Sequence, residues 1–324
     1  MTATSLPRPP FDPHVAAALD AVGDALPPSL TPEMIPLLRR PNPLMPPPSD
    51  DELSQGGVLD VSTRTVPGPD GDLEVIVLRP TAAEAPLPAV LHTHGGGMIL
   101  GDARSGLLEV AGWAAELGLV VVSVDYRLAP ETPHPGPVED CYAALVWTAR
   151  HAAELGTDPA RIVVAGASAG GGLAAALALM ARDRGEVALA GQVLIYPMLD
   201  DRTETVSAQQ MAGVGVWDRT SNQTGWGALL GDAVGGPDVS PYAAPARATD
   251  LSGLPPAFID VASAETFRDE DVAYASRIWA AGGVAELHVW PGGCHGFDLF
   301  VPDAPISQAA RAARVAWLRR LLAG

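Results

Sequence analysis

Short apolar, β-branched segments alternate with helix-forming segments along most of this sequence of 324 residues. The segments typical of buried strands are 89–93, 119–124, 161–165, 192–196, 257–261 and 286–290. Helical patterns fall near 105–117, 137–154, 170–184 and 269–281, with a last one over 305–323. Strands that alternate with helices pair in parallel within one sheet, and helices then cover both of its faces. The sequence therefore predicts an α/β fold with a mostly parallel, doubly wound sheet.

A hairpin is predicted before these units. Residues 61–66 and 73–78 each alternate apolar and polar side chains, and the segment Pro67–Gly71 between them is typical of a turn. We expect this hairpin to form an antiparallel edge of the sheet.

Two segments do not fit the regular alternation. The first 45 residues are rich in proline and contain two helix starts, Asp12-Pro13 and Thr31-Pro32, before a break at 41–48. About sixty residues separate Tyr196 from Pro256, and they include a further predicted helix. We expect residues 1–45 to form an N-terminal arm, with 46–324 as the core. The arm and an insertion at about 200–240 would together make a helical cap; a disordered leader is the alternative for the arm.

Composition excludes several classes of function. The formal charge of −18 and the pI near 4.6 argue against a nucleic-acid or anionic-membrane partner. All 20 basic residues are arginine, so lysine-based Schiff-base chemistry is excluded. Two cysteines are too few for a disulfide framework, and no membrane-span or signal-peptide pattern is present. The sequence predicts a cytoplasmic protein without a membrane span.

The segment Gly166–Gly170 reads Gly-Ala-Ser-Ala-Gly and lies between a predicted buried strand and a predicted helix. This is the context of a nucleophile elbow, in which a sharp turn exposes a serine and leaves no room for large neighbouring side chains. Ser168 is therefore the candidate nucleophile. A structural glycine turn and a phosphate-binding loop are the alternatives that the segment alone leaves open.

A second glycine-rich segment, His94–Gly97, follows the strand predicted at 89–93. Successive glycines let backbone N–H groups converge on one point, as a tetrahedral oxyanion requires. This His-Gly-Gly-Gly pattern is typical of the oxyanion hole of lipases and esterases. His92 and His94 lack the accompanying carboxylate or cysteine cluster of a metal site, so we expect no metal and no cofactor.

The remaining members of a catalytic triad are predicted from position. His295 lies in a glycine-flanked loop after the last strand, where the base of a serine triad belongs. Glu265 is the first carboxylate after the strand at 257–261, whereas Asp269 and Glu270 begin the next helix. Asp260 lies within that strand and is expected to face a structural partner. The order Ser168, Glu265, His295 is that of α/β hydrolases.

Four motifs together resemble the hormone-sensitive-lipase-like (bacterial family IV) esterases of the α/β-hydrolase superfamily. They are His94–Gly97, Asp125–Glu131 (DYRLAPE), Gly166–Gly171 (GASAGG) and His295–Phe297. They cover roughly residues 70–300 in the family's order.

The resemblance implies an α/β-hydrolase fold, with Ser168 as nucleophile and His295 as base. It also implies an oxyanion hole made by the backbone N–H groups of Gly96, Gly97 and Ala169. His94 and the segment 126–131 would be structural supports of the site. The sequence departs from the family at the acid, where Glu265 stands in place of the usual aspartate of an Asp-Pro-Leu-x-Asp segment.

We therefore predict a serine carboxylesterase that hydrolyses short-chain carboxylic esters through an acyl-enzyme, with Glu265 orienting the base. An amidase or peptidase would use the same triad, and a non-catalytic ligand-binding protein on this scaffold is the alternative from another class. The expected partner is a small-molecule ester. We also expect a homodimer, joined through the strand 286–290 and the last helix.

Overall fold

The computed structural model describes residues 6–23, 29–40, 46–82, 84 and 86–323. Its strands, in chain order, are β1 Leu59–Gly68, β2 Gly71–Pro80, β3 Leu87–Thr93, β4 Val120–Val124, β5 Thr157–Ala167, β6 Gly191–Ile195, β7 Ala257–Ala262 and β8 Ala285–Trp290. Each strand expected from the sequence is present.

Helices lie between the strands and at both ends of the chain. They are α1 Pro13–Val22, α2 Ile35–Leu38, α3 Asp50–Leu53, α4 Leu107–Leu117, α5 Gly136–Arg150, α6 Ala152–Leu155, α7 Ala169–Arg184, α8 Val206–Gln210, α9 Arg219–Leu230, α10 Arg268–Ala280, α11 Phe297–Phe300 and α12 Pro305–Leu322. The helix expected over 137–154 is two helices, because α5 ends at Arg150 and α6 begins at Ala152, with His151 between them. The first helix, which the pattern after Asp12-Pro13 predicts through Leu26, ends at Val22, and residues 24–26 lie outside the described residues.

The strands form one sheet in the order β1-β2-β4-β3-β5-β6-β7-β8. β1 pairs with β2, and β2 with β4, in antiparallel fashion. All other neighbouring pairs are parallel. The predicted hairpin at the edge and the mostly parallel sheet are both confirmed. The carboxyl ends of β3, β5, β6, β7 and β8 consequently meet along one edge, where ligands bind in sheets of this kind.

Helices cover both faces of the sheet, and the strands show why. Alternate residues of β3 belong to different apolar clusters: Leu91 lies in the cluster that contains residues of α5, α7 and α10, whereas Val90 lies in the cluster that contains residues of α4 and α12. A strand buried on both faces reads as a continuous apolar run, which is the pattern seen in the sequence. The doubly wound arrangement is confirmed.

The N-terminal arm packs on the insertion that follows β6. The backbone N–H of Leu30 donates to Ser221 Oγ at 2.8 Å, and Thr224 Oγ1 donates to the Leu30 carbonyl at 2.8 Å. Farther along the arm, Arg39 donates to the carbonyl oxygens of Ile99 and Ala129 on the core. The arm is therefore bound to both the insertion and the core, although the division into cap and core stays a prediction.

Among the residues that the structure describes, no helix is long and apolar enough to span a membrane. The expectations of a cytoplasmic location and of no nucleic-acid partner stay predictions.

The close approach of α7 to the end of β3 leads to a test of the fold. A Cβ at Gly170 would lie 2.0 Å from the Thr93 carbonyl oxygen, so Gly170→Ala should lower the free energy of unfolding by about 3 kcal/mol. Gly112 in α4 has nothing within 4 Å of its Cβ position, so Gly112→Ala should raise that free energy by about 0.5–1 kcal/mol. Urea unfolding of the two variants measures both changes. A Gly170→Ala protein as stable as the native one would contradict this packing.

Candidate active site

Ser168 occupies a sharp turn between β5 and α7. β5 ends at Ala167 and α7 begins at Ala169, and the serine between them has φ 59° and ψ −122°. This left-handed conformation is strained for a residue with a Cβ. Two hydrogen bonds hold it: the Ser168 N–H donates to the Ile195 carbonyl, and its carbonyl accepts from the Met198 N–H, both at 2.9 Å. The turn therefore has the strained geometry of a nucleophile elbow.

Small residues around the turn are required by the packing. A Cβ at Gly166 would lie 2.4 Å from the backbone of Gly170 and 2.6 Å from the Thr93 carbonyl. Thr93 also donates from Oγ1 to the Gly170 carbonyl at 2.8 Å. β3, β5 and α7 thus meet at one point, and only glycine fits at their closest approaches.

The three residues expected to form a triad are hydrogen-bonded in a line. His295 Nε2 lies 2.9 Å from Ser168 Oγ, and His295 Nδ1 lies 3.1 Å from Glu265 Oε1. Because the carboxylate can only accept, it fixes the hydrogen on Nδ1 and leaves Nε2 to accept from the serine hydroxyl. The other carboxylate oxygen of Glu265 accepts from the Ala262 N–H at 3.2 Å.

The neighbouring carboxylates are engaged elsewhere. Asp269 accepts from the Ser207 N–H, and Glu270 accepts from the N–H groups of Leu199 and Asp200. Glu265 is therefore the carboxylate that the structure brings to His295.

Asp260 has the structural partners that its position in a strand led us to expect. Its Oδ2 accepts from Trp290 Nε1 and from Arg314 Nε, each at 3.0 Å. It does not approach His295.

Aromatic side chains surround the imidazole of His295. Tyr196 and Phe267 contact it edge-on, with ring centroids 4.8 and 5.0 Å away, and Trp217 lies 6.4 Å away. Thr266 Oγ1 donates to the Trp217 carbonyl at 2.6 Å, which ties the insertion to the loop that carries Glu265. These aromatic residues are not among those that the sequence predicts for the site. The position of Tyr196 is a signal that could have found it, because Tyr196 directly follows β6 at the edge where the site lies.

The glycine-rich segment after β3 provides unpaired backbone N–H groups. Gly96 has φ 118° and Gly97 has φ 63°, conformations that favour glycine. Within the described residues, the N–H groups of Gly96, Gly97 and Ala169 have no hydrogen-bond partner. That of Ala169 is the first in α7, so the positive end of the helix dipole adds to it. A Cβ at Gly97 would lie 2.3 Å from the ring of Trp217, so the indole packs directly on this segment.

His94 anchors the glycine segment from beneath. Its ring stacks on Tyr126 at 4.1 Å, its Nδ1 donates to the Gly95 carbonyl at 2.8 Å, and the Tyr126 hydroxyl donates to the His94 carbonyl. Burial lowers the pKa of His94 to about 4, so the ring is neutral at pH 7. These contacts are those of the structural support that the resemblance implied.

A cavity of about 680 Å³ opens beside Ser168 and His295. Leu30 and Leu38 from the arm, together with Val216 and Trp217 from the insertion, form one wall. A second set of lining residues, here called the deep wall, consists of His92, Ser105, Gly106, Glu109, Val110 and Trp113. The cavity is mostly apolar and is of the size typical of small-molecule sites.

Comparisons with known proteins show similarity of this chain to hydrolases and esterases. A sequence profile of the α/β hydrolase fold matches residues 90–299. The carboxylesterase NlhH of Mycobacterium tuberculosis is 40% identical over 272 residues, which are 82% of this chain and 83% of that protein. Human hormone-sensitive lipase is 40% identical over 119 residues, 37% of this chain and 11% of the lipase.

Among solved structures, a bacterial heroin esterase superposes with a TM-score of 0.86 at 40% identity, covering 96% of this chain and 98% of its own. The esterase of Pyrobaculum calidifontis superposes with a TM-score of 0.80 at 33% identity, covering 96% and 99%.

A buried serine, histidine and carboxylate at the carboxyl ends of parallel strands define a hydrolase of the Ser-His-acid type. The chain belongs to the α/β-hydrolase fold family and, within it, to the esterases related to hormone-sensitive lipase. The fold and family expected from the sequence are thereby confirmed.

The two histidines of the β3 end lead to a spectroscopic test. Burial lowers the pKa of His92 to about 3, as it lowers that of His94 to about 4, because the interior disfavours the charged ring. Both rings should therefore stay neutral from pH 8 down to pH 5. A pH titration of histidine-labelled protein by nuclear magnetic resonance, assigned with His92→Gln and His94→Gln, follows each ring. A midpoint near pH 6.5 for either ring would contradict its burial.

Proposed function

We propose that this chain is a serine carboxylesterase that hydrolyses short-chain carboxylic esters, with Ser168, His295 and Glu265 as its triad. The observation that carries the proposal is the continuous hydrogen-bonded line from Glu265 through His295 to Ser168, with heavy-atom distances of 3.1 and 2.9 Å. Both distances lie within hydrogen-bond range, so His295 can take the proton of Ser168 while Glu265 holds the imidazole ring. Relatives named carboxylesterase and esterase support the same class of reaction.

In the proposed mechanism Ser168 Oγ attacks the ester carbonyl while His295 Nε2 takes its proton. Glu265 stabilises the resulting imidazolium, and His295 then donates the proton to the departing alkoxide. Water then hydrolyses the acyl-enzyme: His295 takes a proton from the water and returns it to Ser168 Oγ as the acid product leaves. The N–H groups of Gly96, Gly97 and Ala169 would hold the oxyanion, because they are unpaired within the described residues and adjoin the serine.

The two alternatives are less well supported. An amidase or peptidase would use the same residues, but the relatives named above are esterases. A non-catalytic binding protein would not need the hydrogen bonds that align His295 between Ser168 and Glu265.

We infer that the substrates are small. Residues of the arm and of the insertion enclose one side of the cavity, which limits the length of chain that can enter beside Ser168. The contacts of Leu30 with Ser221 and Thr224 support a cap made jointly by the residues 1–45 and about 200–240, over a core of 46–324.

Ser168→Ala tests the assignment of the nucleophile. The variant loses the attacking oxygen, so turnover of p-nitrophenyl acetate should fall by roughly a millionfold, as in other serine hydrolases. Circular dichroism checks that the fold is retained. A loss of less than about a thousandfold, or labelling of another residue by an organophosphate, would contradict the assignment.

Glu265→Gln tests the acid. The amide cannot stabilise the imidazolium, so turnover should fall by at least about a hundredfold; the corresponding change in a serine protease costs about ten-thousandfold. Asp269→Asn is the matched control, because Asp269 follows in the same segment but bonds to Ser207 and Arg268. A larger loss in the Asp269→Asn variant than in Glu265→Gln would show that the triad needs another acid.

We also propose a homodimer that forms through β8. Within the described residues β8 pairs only with β7, so its other edge is unpaired, and Val289 is 42% exposed on it. The last helix offers less apolar surface than expected, because Trp317 and Leu318 are buried within the chain itself. Light scattering at micromolar concentration should give twice the mass of 33.4 kDa. A monomeric mass would refute the dimer.

A further inference from the structure

The deep wall of the cavity contains polar groups that the triad does not use. Glu109 and His92 both line it, beside the apolar side chains of Val110 and Trp113. Glu109 is on α4 and His92 is on β3, so they approach the cavity from different elements. The other polar side chain of the deep wall, Ser105, donates to Asp102, so Glu109 and His92 are the candidates for recognition of a polar group on the substrate.

His92 offers an unused lone pair to the cavity. Its ring is 97% buried, since only 3% is exposed. Ser123 Oγ donates to the Ala103 carbonyl at 2.6 Å and therefore accepts from His92 Nδ1 at 2.8 Å. Nε2 consequently has no hydrogen, and it has no hydrogen-bond partner among the described residues. A Cβ at Gly106, on the deep wall, would lie 4.0 Å from this nitrogen.

Glu109 is held in place by a buried arginine. Both of its carboxylate oxygens accept from Arg314 Nη1, at 3.0 and 3.2 Å. Arg314 is fully buried and also contacts Asp260 and Asp298. Three carboxylates thus share the guanidinium of Arg314. The carboxylate of Glu109, at the cavity wall, is therefore only partly neutralised by it.

The charges behind the wall do not balance. Arg311 is the second cation there, and it donates to the Asp298 carbonyl. Counted with every group ionised, three carboxylates against two guanidinium groups leave a formal excess of one negative charge. Burial raises the pKa of Glu109 above its ordinary value, which is the sign expected when a carboxylate lacks sufficient compensation.

We propose that the deep wall recognises a protonated amine on one arm of the ester substrate, with Glu109 and the unpaired nitrogen of His92 as its partners. This inference rests on the proposed esterase function and adds the substrate class to it. An ammonium group supplies both the missing positive charge and an N–H donor. A hydroxyl group supplies only the donor, so the excess charge favours the amine.

Two pairs of isosteric esters test the proposal, one pair for each arm of an ester. In the alcohol arm the pair is 3-(dimethylamino)propyl acetate and 4-methylpentyl acetate. In the acyl arm it is ethyl 4-(dimethylamino)butanoate and ethyl 5-methylhexanoate. Each pair replaces a C–H by a protonated N–H without changing the heavy-atom skeleton. Hydrolysis is followed by pH-stat at pH 7, where the amines are protonated.

For one of the two arms, kcat/KM for the amine should exceed that for its isostere at least about tenfold, as expected for a charge-assisted hydrogen bond in a partly buried site. In Glu109→Gln the ratio of amine to isostere should fall about tenfold. Glu116→Gln is the matched control: Glu116 lies on the same helix and also pairs with an arginine of α12, but at the surface, so the ratio should not change.

Three results would overturn the proposal: a ratio near one in both pairs, a ratio unchanged in Glu109→Gln, or an equal fall in Glu116→Gln. The first is measured on the native enzyme and does not depend on whether a variant folds. If the enzyme hydrolyses p-nitrophenyl acetate and the neutral isosteres but shows no preference for the amines, the amine site is refuted. The proposed esterase function would then still stand. No hydrolysis of any ester would refute the proposed function itself.

Discussion

The hydrogen bond between Glu265 and His295 is the interaction on which the geometry of the site depends. It joins the loop after β7 to the loop after β8, and the same imidazole reaches Ser168 after β5. Parallel strands bring their carboxyl ends to one edge, so residues 127 positions apart in the chain can lie 2.9 Å apart in space. The sheet thus brings the three side chains together, while the buried carboxylate of Glu265 fixes the imidazole in the tautomer that can accept a proton from serine.

Packing holds this arrangement in place before any substrate binds. The positive φ of Ser168 is fixed by backbone hydrogen bonds on both of its sides, and Gly166 and Gly170 allow β3, β5 and α7 to meet beneath it. His94 secures the adjacent glycine segment from below. A site fixed in this way needs little reorganisation during the reaction, which is the basis of electrostatic preorganisation.

Much of the fold and of the triad could be predicted from the sequence because their determinants are local. The β-branched runs fix the strands, and the glycines at 166 and 170 mark a turn that only small residues can make. Glu265 could be selected because it is the first carboxylate after a strand.

The deep wall could not be predicted in this way. Glu109 and Arg314 are 205 positions apart, and nothing local to either helix indicates that they form an ion pair. Arg314 lies in the last helix, where the alanine-rich pattern of apolar residues favours a dimer surface. Several of these residues instead pack inside the chain, since the burial of a helix face depends on which strands lie beneath it.

We expect the N–H groups of Gly96, Gly97 and Ala169 to face the oxygen that becomes negative when Ser168 attacks the ester. A crystal structure of the protein inactivated by a small alkyl phosphonate tests this most directly, because the tetrahedral phosphorus mimics the intermediate. We expect phosphorus bonded to Ser168 Oγ and its free oxygen within about 2.7–3.1 Å of all three nitrogen atoms. Phosphorus on another residue, or a free oxygen that contacts none of the three N–H groups, would contradict it.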